Sequence, residues 1–302
     1  MNDHHGKEAR CFEPTLEDLV AGGFVNHFVY PNQTGSTNQL AKTFDDPHGD
    51  ERATAPVQTP RNRRSNSGDR WLFITDRQTD GRGRGDRQWE SPPGSIALSW
   101  RSLTDGPPDG RSAIAAGVVT ARAIENVSNV PIGLKWPNDL IGPGGSKLGG
   151  ILIEGVRQQA RWHRIIGIGI NASSPPKHAN QPAEGLELPL ELRIKLLREL
   201  VTGLSVWTRD ERSNREDLGQ SSHEQSDTKT HDASAADWIA AYRERCVLTD
   251  QWVRCSMPDG RTIVGNCDGV DEEGRLKVAD SAGEIHVLHG GDIRRLRTIA
   301  ET

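Results

Sequence analysis

"SKLGGILIEGVRQQARWHRIIGIGIN" runs from Ser146 to Asn171 and holds two apolar stretches, LGGILIEGV and HRIIGIGIN. Both are rich in Ile, Leu and Val and too short for typical helices. Both are also punctuated by glycine, so they read as strands near the centre of a sheet. Working outward, IGLKW (Ile132 to Trp136), SIALSW (Ser95 to Trp100) and WLFITDRQ (Trp71 to Gln78) read as further strands. Between them, SAIAAGVVTARAIENV (Ser112 to Val127) places Ile114, Val118, Ala121 and Ile124 on one helical face, with Ser112 as a plausible N-cap. LPLELRIKLLRELVTGLSVW (Leu188 to Trp207) has leucines at helical spacing. The pattern predicts an α+β fold in which a mixed sheet carries helices.

The flanks read differently. PTLEDLVAGG near the N-terminus is one short helical pattern, and ADWIAAYRERC (Ala236 to Cys246) is another. QWVRCSM, RTIVGNCDGV, GRLKVAD and EIHVLHGGDI follow, joined by turn signals such as PDG and EEG, and together suggest a small β-barrel. Residues 46 to 69 hold almost no large apolar side chain and read as a disordered insertion; residues 209 to 232 read as a polar linker. The expected organisation is one domain over 24–208, the linker, then a helix and small barrel over 233–302.

The formal charge of -5 argues against a general nucleic-acid binder, so any basic site must be local. Cys11, Cys246, Cys255 and Cys267 form no CxxC pair and read as reduced, mostly buried thiols. The N-terminal stretch MNDHHGKEAR lacks the apolar region of a signal peptide. No apolar run approaches the ~20 residues of a membrane span. A soluble cytoplasmic protein is expected.

Four clusters stand out as candidate chemistry. TDGRGRGDRQWESPPG (Thr79 to Gly94) crowds arginines among glycines beside Trp89. Glycines let a backbone approach a ligand and turn its N–H groups inward, while arginines bring forked donors suited to phosphate or carboxylate. An RNA-binding arginine–glycine tract is the competing reading, but such tracts repeat and this one occurs once, between two strands. KWPND (Lys135 to Asp139) closes an apolar strand with a Pro-Asn-Asp turn. SKLGGILIEG puts Lys147 just ahead of Gly149 and Gly150. GIGIN (Gly167 to Asn171) lacks the GxGxxG-plus-helix context of a dinucleotide site.

Taken together and in order, GSTN (Gly35 to Asn38), QTDGRGRG, KWPNDL, KLGGILIE and GIGINA resemble the biotin protein ligase family. The resemblance covers nearly the whole chain: a biotin/lipoate ligase-like catalytic domain and a small C-terminal SH3-like β-barrel. It implies that biotin and ATP form biotinyl-5′-adenylate, with Mg²⁺, and that biotin then passes to a lysine of a biotin carboxyl carrier protein of acetyl-CoA carboxylase or a related carboxylase. By resemblance, Ser36, Thr37, Asn38, Gln78, Arg82, Gly83, Arg84 and Lys147 would meet biotin. Arg84 and Lys147 would be catalytic, and Trp89, Asn138, Asp139 and Asn171 would lie near the nucleotide. No metal ligand is identified by sequence. Two departures from the family's loop, Asp80 and Asp86, add carboxylates beside the arginines. Only 35 residues precede Ser36, too few for a winged helix, so the resemblance implies the type without a DNA-binding domain, with no DNA or membrane partner. A monomer or weak homodimer is expected. A lipoate or other acyl-carrier ligase of the same fold is the nearest alternative.

Overall fold

The computed structural model describes residues 10–44, 57–58, 70–158, 160–179, 181–219, 235–257, 259–289 and 292–295. Helix α1 (Glu13–Ala21) leads into β1 (His27–Val29) and β2 (Gln33–Thr34), then α2 (Thr37–Thr43) and β3 (Val57–Gln58). β4 (Trp71–Thr75), β5 (Arg77–Gln78) and β6 (Ile96–Thr104) precede α3 (Gly110–Ser128). β7 (Gly133–Lys135), β8 (Asp139–Ile141), β9 (Lys147–Gln158) and β10 (Arg161–Ile170) follow, then α4 (Leu190–Gly219) and α5 (Ala235–Arg245). The chain closes with β11 (Trp252–Ser256), β12 (Thr262–Val270), β13 (Leu276–Ala279), β14 (Ile285–Leu288) and β15 (Asp292–Arg295).

Eight strands make one mixed sheet in the order β3-β1-β4-β6-β10-β9-β8-β7. The opening stretch of the sequence is its centre: β9 and β10 pair antiparallel over ten residues, from Arg161↔Gln158 to Ile170↔Gly149. Side chains alternate along a strand, so this register assigns two faces. Ile166, Ile168 and Ile170 of β10 share one face with Leu98 and Trp100 of β6, and all of them join the main core under α3 and α4. Ile165, Gly167 and Gly169 take the other face, with Ser99 and Arg101 of β6. That second face carries α2 and a smaller cluster of Val29, Ala41, Phe44, Trp71, Phe73 and Ile165.

Several boundaries move from their expected places. The N-cap of α3 is Asp109, whose carboxylate accepts from the Ser112 N–H at 3.2 Å, so the helix starts ahead of Ser112. β8 was not anticipated; three residues after a Pro-Asn turn give little strand signal. α4 continues to Gly219, so residues 209–219 of the expected linker are helical, and the remainder of it lies outside the described residues. Val57 and Gln58, within the expected insertion, pair with Val29 and Phe28 as an edge strand; the rest of 46–69 lies outside the described residues.

The C-terminal strands form a five-stranded antiparallel sheet in the order β14-β13-β12-β11-β15. The expected small β-domain is present as an open sheet: no ladder joins β14 to β15 among the described residues. Its buried residues, including Val253, Cys267, Val278 and Leu288, are continuous with the main core. The join is specific. The β12–β13 turn ends on Gly274, whose φ of +75° favours glycine, and the indole N–H of buried Trp136 donates to the Gly274 carbonyl at 2.9 Å. α5 packs on α3 through an Arg245–Glu125 ion pair at 2.9 Å and through Arg122 over the Trp238 ring. Cys255 and Cys267 are buried thiols, Cys11 and Cys246 are half-buried, and none of the four forms a disulfide. Among the described residues no helix is long and apolar enough to cross a membrane.

Candidate active site

The face opposite the main core is built around positions with no side chain. A Cβ on Gly167 would lie 2.2 Å from Asn38 Oδ1, and one on Gly169 would lie 2.4 Å from Trp89 Cε2. Gly150, paired with Gly169, lies under the Lys147 ammonium, with its notional Cβ 3.4 Å from Nζ. Three glycines of KLGGILIE and GIGIN thus form a flat floor, and Asn38, Trp89 and Lys147 lie directly on it. Ile151, Ile166, Ile168 and Ile170, on the opposite parity of the same strands, point into the core.

α2 holds its first turn against this floor. Ser36 is its N-cap, and its hydroxyl accepts from the Gln39 N–H. The Thr37 N–H donates to Gln78 Oε1 at 2.9 Å, and Thr37 Oγ1 lies 2.8 Å from Ser99 Oγ. Ser99 also donates to Asn38 Oδ1 at 2.6 Å, and Asn38 Nδ2 donates to Glu154 Oε2 at 2.8 Å. At the other end of the helix, the buried Arg101 guanidinium donates to the Ala41 and Phe44 carbonyls. It also faces His163, whose pKa burial lowers to about 4, with Arg101 and Arg161 adding to the shift.

The glycine–arginine loop is a small closed structure. The Gly83 N–H donates to the Arg87 carbonyl at 2.7 Å and the Trp89 N–H to the Gly81 carbonyl at 2.8 Å. Gly81 is confined to glycine, since a Cβ there would lie 2.3 Å from the Trp89 oxygen. Arg84 is half-buried, whereas Asp80 and Asp86 are exposed. At the far end of the loop Pro92 is buried and Pro93 is exposed. Glu90 contributes an anchor that was missed. Its carboxylate accepts from the backbone N–H groups of His178 and Lys177 at 2.9 and 3.2 Å, and the His178 bond leads in holding its pKa below the ordinary range.

Lys147 Nζ pairs with Asp139 Oδ1 at 2.5 Å and stands 5.9 Å from the centre of the Trp89 ring. Asn138 is turned toward β9, where its amide donates to the Ile151 carbonyl at 3.0 Å and braces the turn. Asn171 is buried; its Nδ2 donates to the Glu184 carbonyl, while its Oδ1 has no partner among the described residues. The Trp89 indole nitrogen is likewise buried without a partner. Buried polar atoms are normally satisfied, so these two are available to a ligand. Beside Lys147 opens a cleft of about 780 Å³ lined by Lys135, Gly142, Gln181 and Arg245 among others. Asp280, Glu284 and His286 bring ligand atoms within 4.8 Å of one another in the β13–β14 turn, but the Asp280 oxygens already close that turn.

The structure therefore brings Ser36, Thr37, Asn38, Gln78, Arg82, Trp89, Asp139, Lys147 and Asn171 to one side of one sheet, with Gly83 and Arg84 in the loop between Arg82 and Trp89. Ser99, Glu154 and Lys42 belong to the network around Asn38, and Glu90 to the anchor of the loop; all four were missed. The even spacing of Glu154 from Gly150, i and i+4 along one strand, was the available signal.

A family model described as "Biotin/lipoate A/B protein ligase family" matches residues 54–171. The biotin--[acetyl-CoA-carboxylase] ligase of Mycobacterium tuberculosis is 32% identical over 240 residues, covering 75% of this chain and 79% of that one. The human biotin--protein ligase is 26% identical over 240 residues, which span 76% of this chain and 31% of the human protein. Among solved structures, the biotin protein ligase from Aquifex aeolicus in complex with biotin and ATP superposes with a TM-score of 0.60 at 20% identity, over 90% of this chain and 99% of that one, a likeness of fold.

Proposed function

The chain belongs to the biotin/lipoate A/B protein ligase family, and on that premise we propose that it is an ATP-dependent biotin protein ligase. A carboxylate oxygen of biotin attacks the α-phosphorus of ATP, releasing pyrophosphate and forming biotinyl-5′-adenylate. The Nζ of a carrier lysine then attacks the acyl carbon, forming an amide and releasing AMP. The carrier is a biotin carboxyl carrier domain, that of acetyl-CoA carboxylase by analogy with the mycobacterial relative.

The observation that carries this reading is the glycine floor under Asn38, Trp89 and Lys147. Glycines that let Asn38, Trp89 and Lys147 lie close against the sheet, with hydrogen-bonding groups at one end and a cation at the other, suit a ligand with a polar fused ring and an anionic tail. Ser36, Thr37, Asn38 and Gln78 would meet the ring. Lys147 would meet the carboxylate and phosphate where two anions must approach, and Arg84 would meet the same charge from the loop. Trp89 and Asn171 would hold the nucleotide. No covalent enzyme intermediate is required, so catalysis is positioning plus charge stabilisation. Arg82 and Gly83, together with the rest of the loop, would shield the acyl phosphate from water.

Mg²⁺ prefers a few carboxylate oxygens, with phosphate and water completing its shell. Asp139, half-buried on the site face, fits that need, and the ion would neutralise phosphate charge there. The test is to incubate the protein with biotin, ATP and Mg²⁺ and identify bound biotinyl-adenylate by mass spectrometry. Adenylate formed with lipoate and not with biotin would overturn the reading in favour of a lipoate ligase.

A further inference from the structure

The site face carries one carboxylate that the proposed chemistry leaves unused. Glu154 pairs with Ile165 across β9 and β10, on the same parity as Gly150 and Leu152. A carboxylate on a mostly covered strand face needs partners. Glu154 has them from two separate elements. From α2, Asn38 Nδ2 donates to its Oε2 at 2.8 Å, and Lys42 Nζ donates to its Oε1. From the glycine–arginine loop, Arg82 Nη1 stands 3.8 Å from Oε1 and also donates to Gln39 Oε1 at 3.5 Å.

We propose that Glu154 is a positioning residue that latches the glycine–arginine loop to α2 through Arg82. The inference deepens the ligase reading and rests on it. The connections form one path: Gln78 to Thr37, Thr37 to Ser99, Ser99 to Asn38, Asn38 to Glu154, and Glu154 to Arg82. Both ends of that path lie at the base of the same loop, since Gln78 precedes it and Arg82 is its first arginine. The proposed ring-binding residues and the loop are thereby joined by four hydrogen bonds and one ion pair, and Glu154 is the member whose charge holds that last link.

Without the carboxylate charge, two cations, Lys42 and Arg82, face each other across a neutral group. Arg82 is the one that leaves. Its side chain is 42% exposed against 26% for Lys42, it stands farther from Glu154, and it sits on a loop where Lys42 sits on a helix. Glu154 thus acts on loop closure and on retention of the bound adenylate. The chemistry at Lys147 is left alone.

The test uses Glu154→Gln, which keeps the shape and one acceptor for Asn38 while removing the charge. Trypsin cleavage at Arg82 in the full-length protein, with no substrate present, is expected to speed up about tenfold, because an opened loop exposes that bond. This readout does not depend on any activity. A parent protein that forms no adenylate would refute the ligase reading while leaving the latch measurable. In the ligase assay, release of biotinyl-adenylate and the KM for biotin should both rise about tenfold, with kcat at saturating substrate within about twofold of the parent. Arg82→Gln should release adenylate as fast as Glu154→Gln, and the double variant should be no worse than either single, as coupled partners require. Multiplying effects, or a fall in kcat with release unchanged, would overturn the proposal. If Glu154→Gln lowers the melting temperature, Lys42→Met is added to remove the unpaired ammonium. Recovered stability with fast release supports the latch, and recovered stability with recovered retention overturns it.

Discussion

Replacing Gly169 by Ala tests the glycine floor at its tightest point. The added methyl would sit 2.4 Å from Trp89 Cε2 and 2.6 Å from Cζ2, where ordinary contact begins at 3.4 Å. The indole must therefore retreat by about 1 Å. The backbone that carries it is not free to follow, because the Trp89 main-chain N–H donates to the Gly81 carbonyl and the two chains are in contact at Gly81. Overpacking of this kind costs about 1–3 kcal/mol, or roughly 5- to 150-fold in an equilibrium constant. Trp89 is proposed to hold the nucleotide, so the loss should fall on the KM for ATP and on adenylate retention, with the KM for biotin little changed. Gly167→Ala is the internal control: its methyl would strike Asn38 Oδ1 at 2.2 Å, so the loss should fall on biotin. The assay is adenylate formation titrated separately in ATP and in biotin, alongside melting temperatures. An unchanged ATP dependence in Gly169→Ala, or the same pattern of losses in both variants, would refute the division of the floor.

Other outcomes follow from the same geometry. Lys147→Ala should slow adenylate formation and Arg84→Ala should speed adenylate leakage, each by ten- to a hundred-fold for about 1.5–3 kcal/mol of lost charged contact, and separate rate measurements would reject the split if either variant behaves as the other. Asp86 is exposed, so Asp86→Gly should leave adenylate retention unchanged, and tighter retention would mean that the carboxylate faces the site. Trp136→Phe removes the donor to the Gly274 carbonyl and should cost about 1–3 kcal/mol in urea unfolding, an unchanged midpoint showing that the join between the sheets does not depend on it. His163 is held neutral by burial, its pKa lowered from 6.5 to about 4, so the unfolded chain takes up a proton first as pH falls and stability should drop between those values. His163→Gln should flatten that drop, and parallel melting curves against pH for the two proteins would reject the assignment.

The sequence made the sheet legible because β9 and β10 are long, apolar and interrupted only by glycine. It made α3 legible through its apolar face, but not its start, because Asp109 caps a helix whose first residue is Gly110, a poor helix former. The open C-terminal sheet was read as a barrel because four strand runs with tight turns say nothing of whether the edge strands meet. Within the candidate site, the motif residues were proposed by resemblance, while Ser99 and Glu154 were not. Both sit in ordinary strand sequence, and only the register Gly167↔Ser99 and Ile165↔Glu154 reveals that they share a face with Asn38. Asn138 shows the converse. It lies in a conspicuous motif, yet its amide is committed to the Ile151 carbonyl.

The alternation along β10 also bears on misfolding. Displacing this strand by one residue against its neighbours would send Ile166, Ile168 and Ile170 outward under α2 and leave Gly167 and Gly169 facing α3. Such a slipped chain would lose its core and fill its binding floor in the same step. A soluble species with intact stability but a blocked floor, or an open floor but a hollow interior, is not available to it. In a refolded preparation, the fraction able to retain adenylate should therefore equal the fraction that melts cooperatively, and titrating one would count the other.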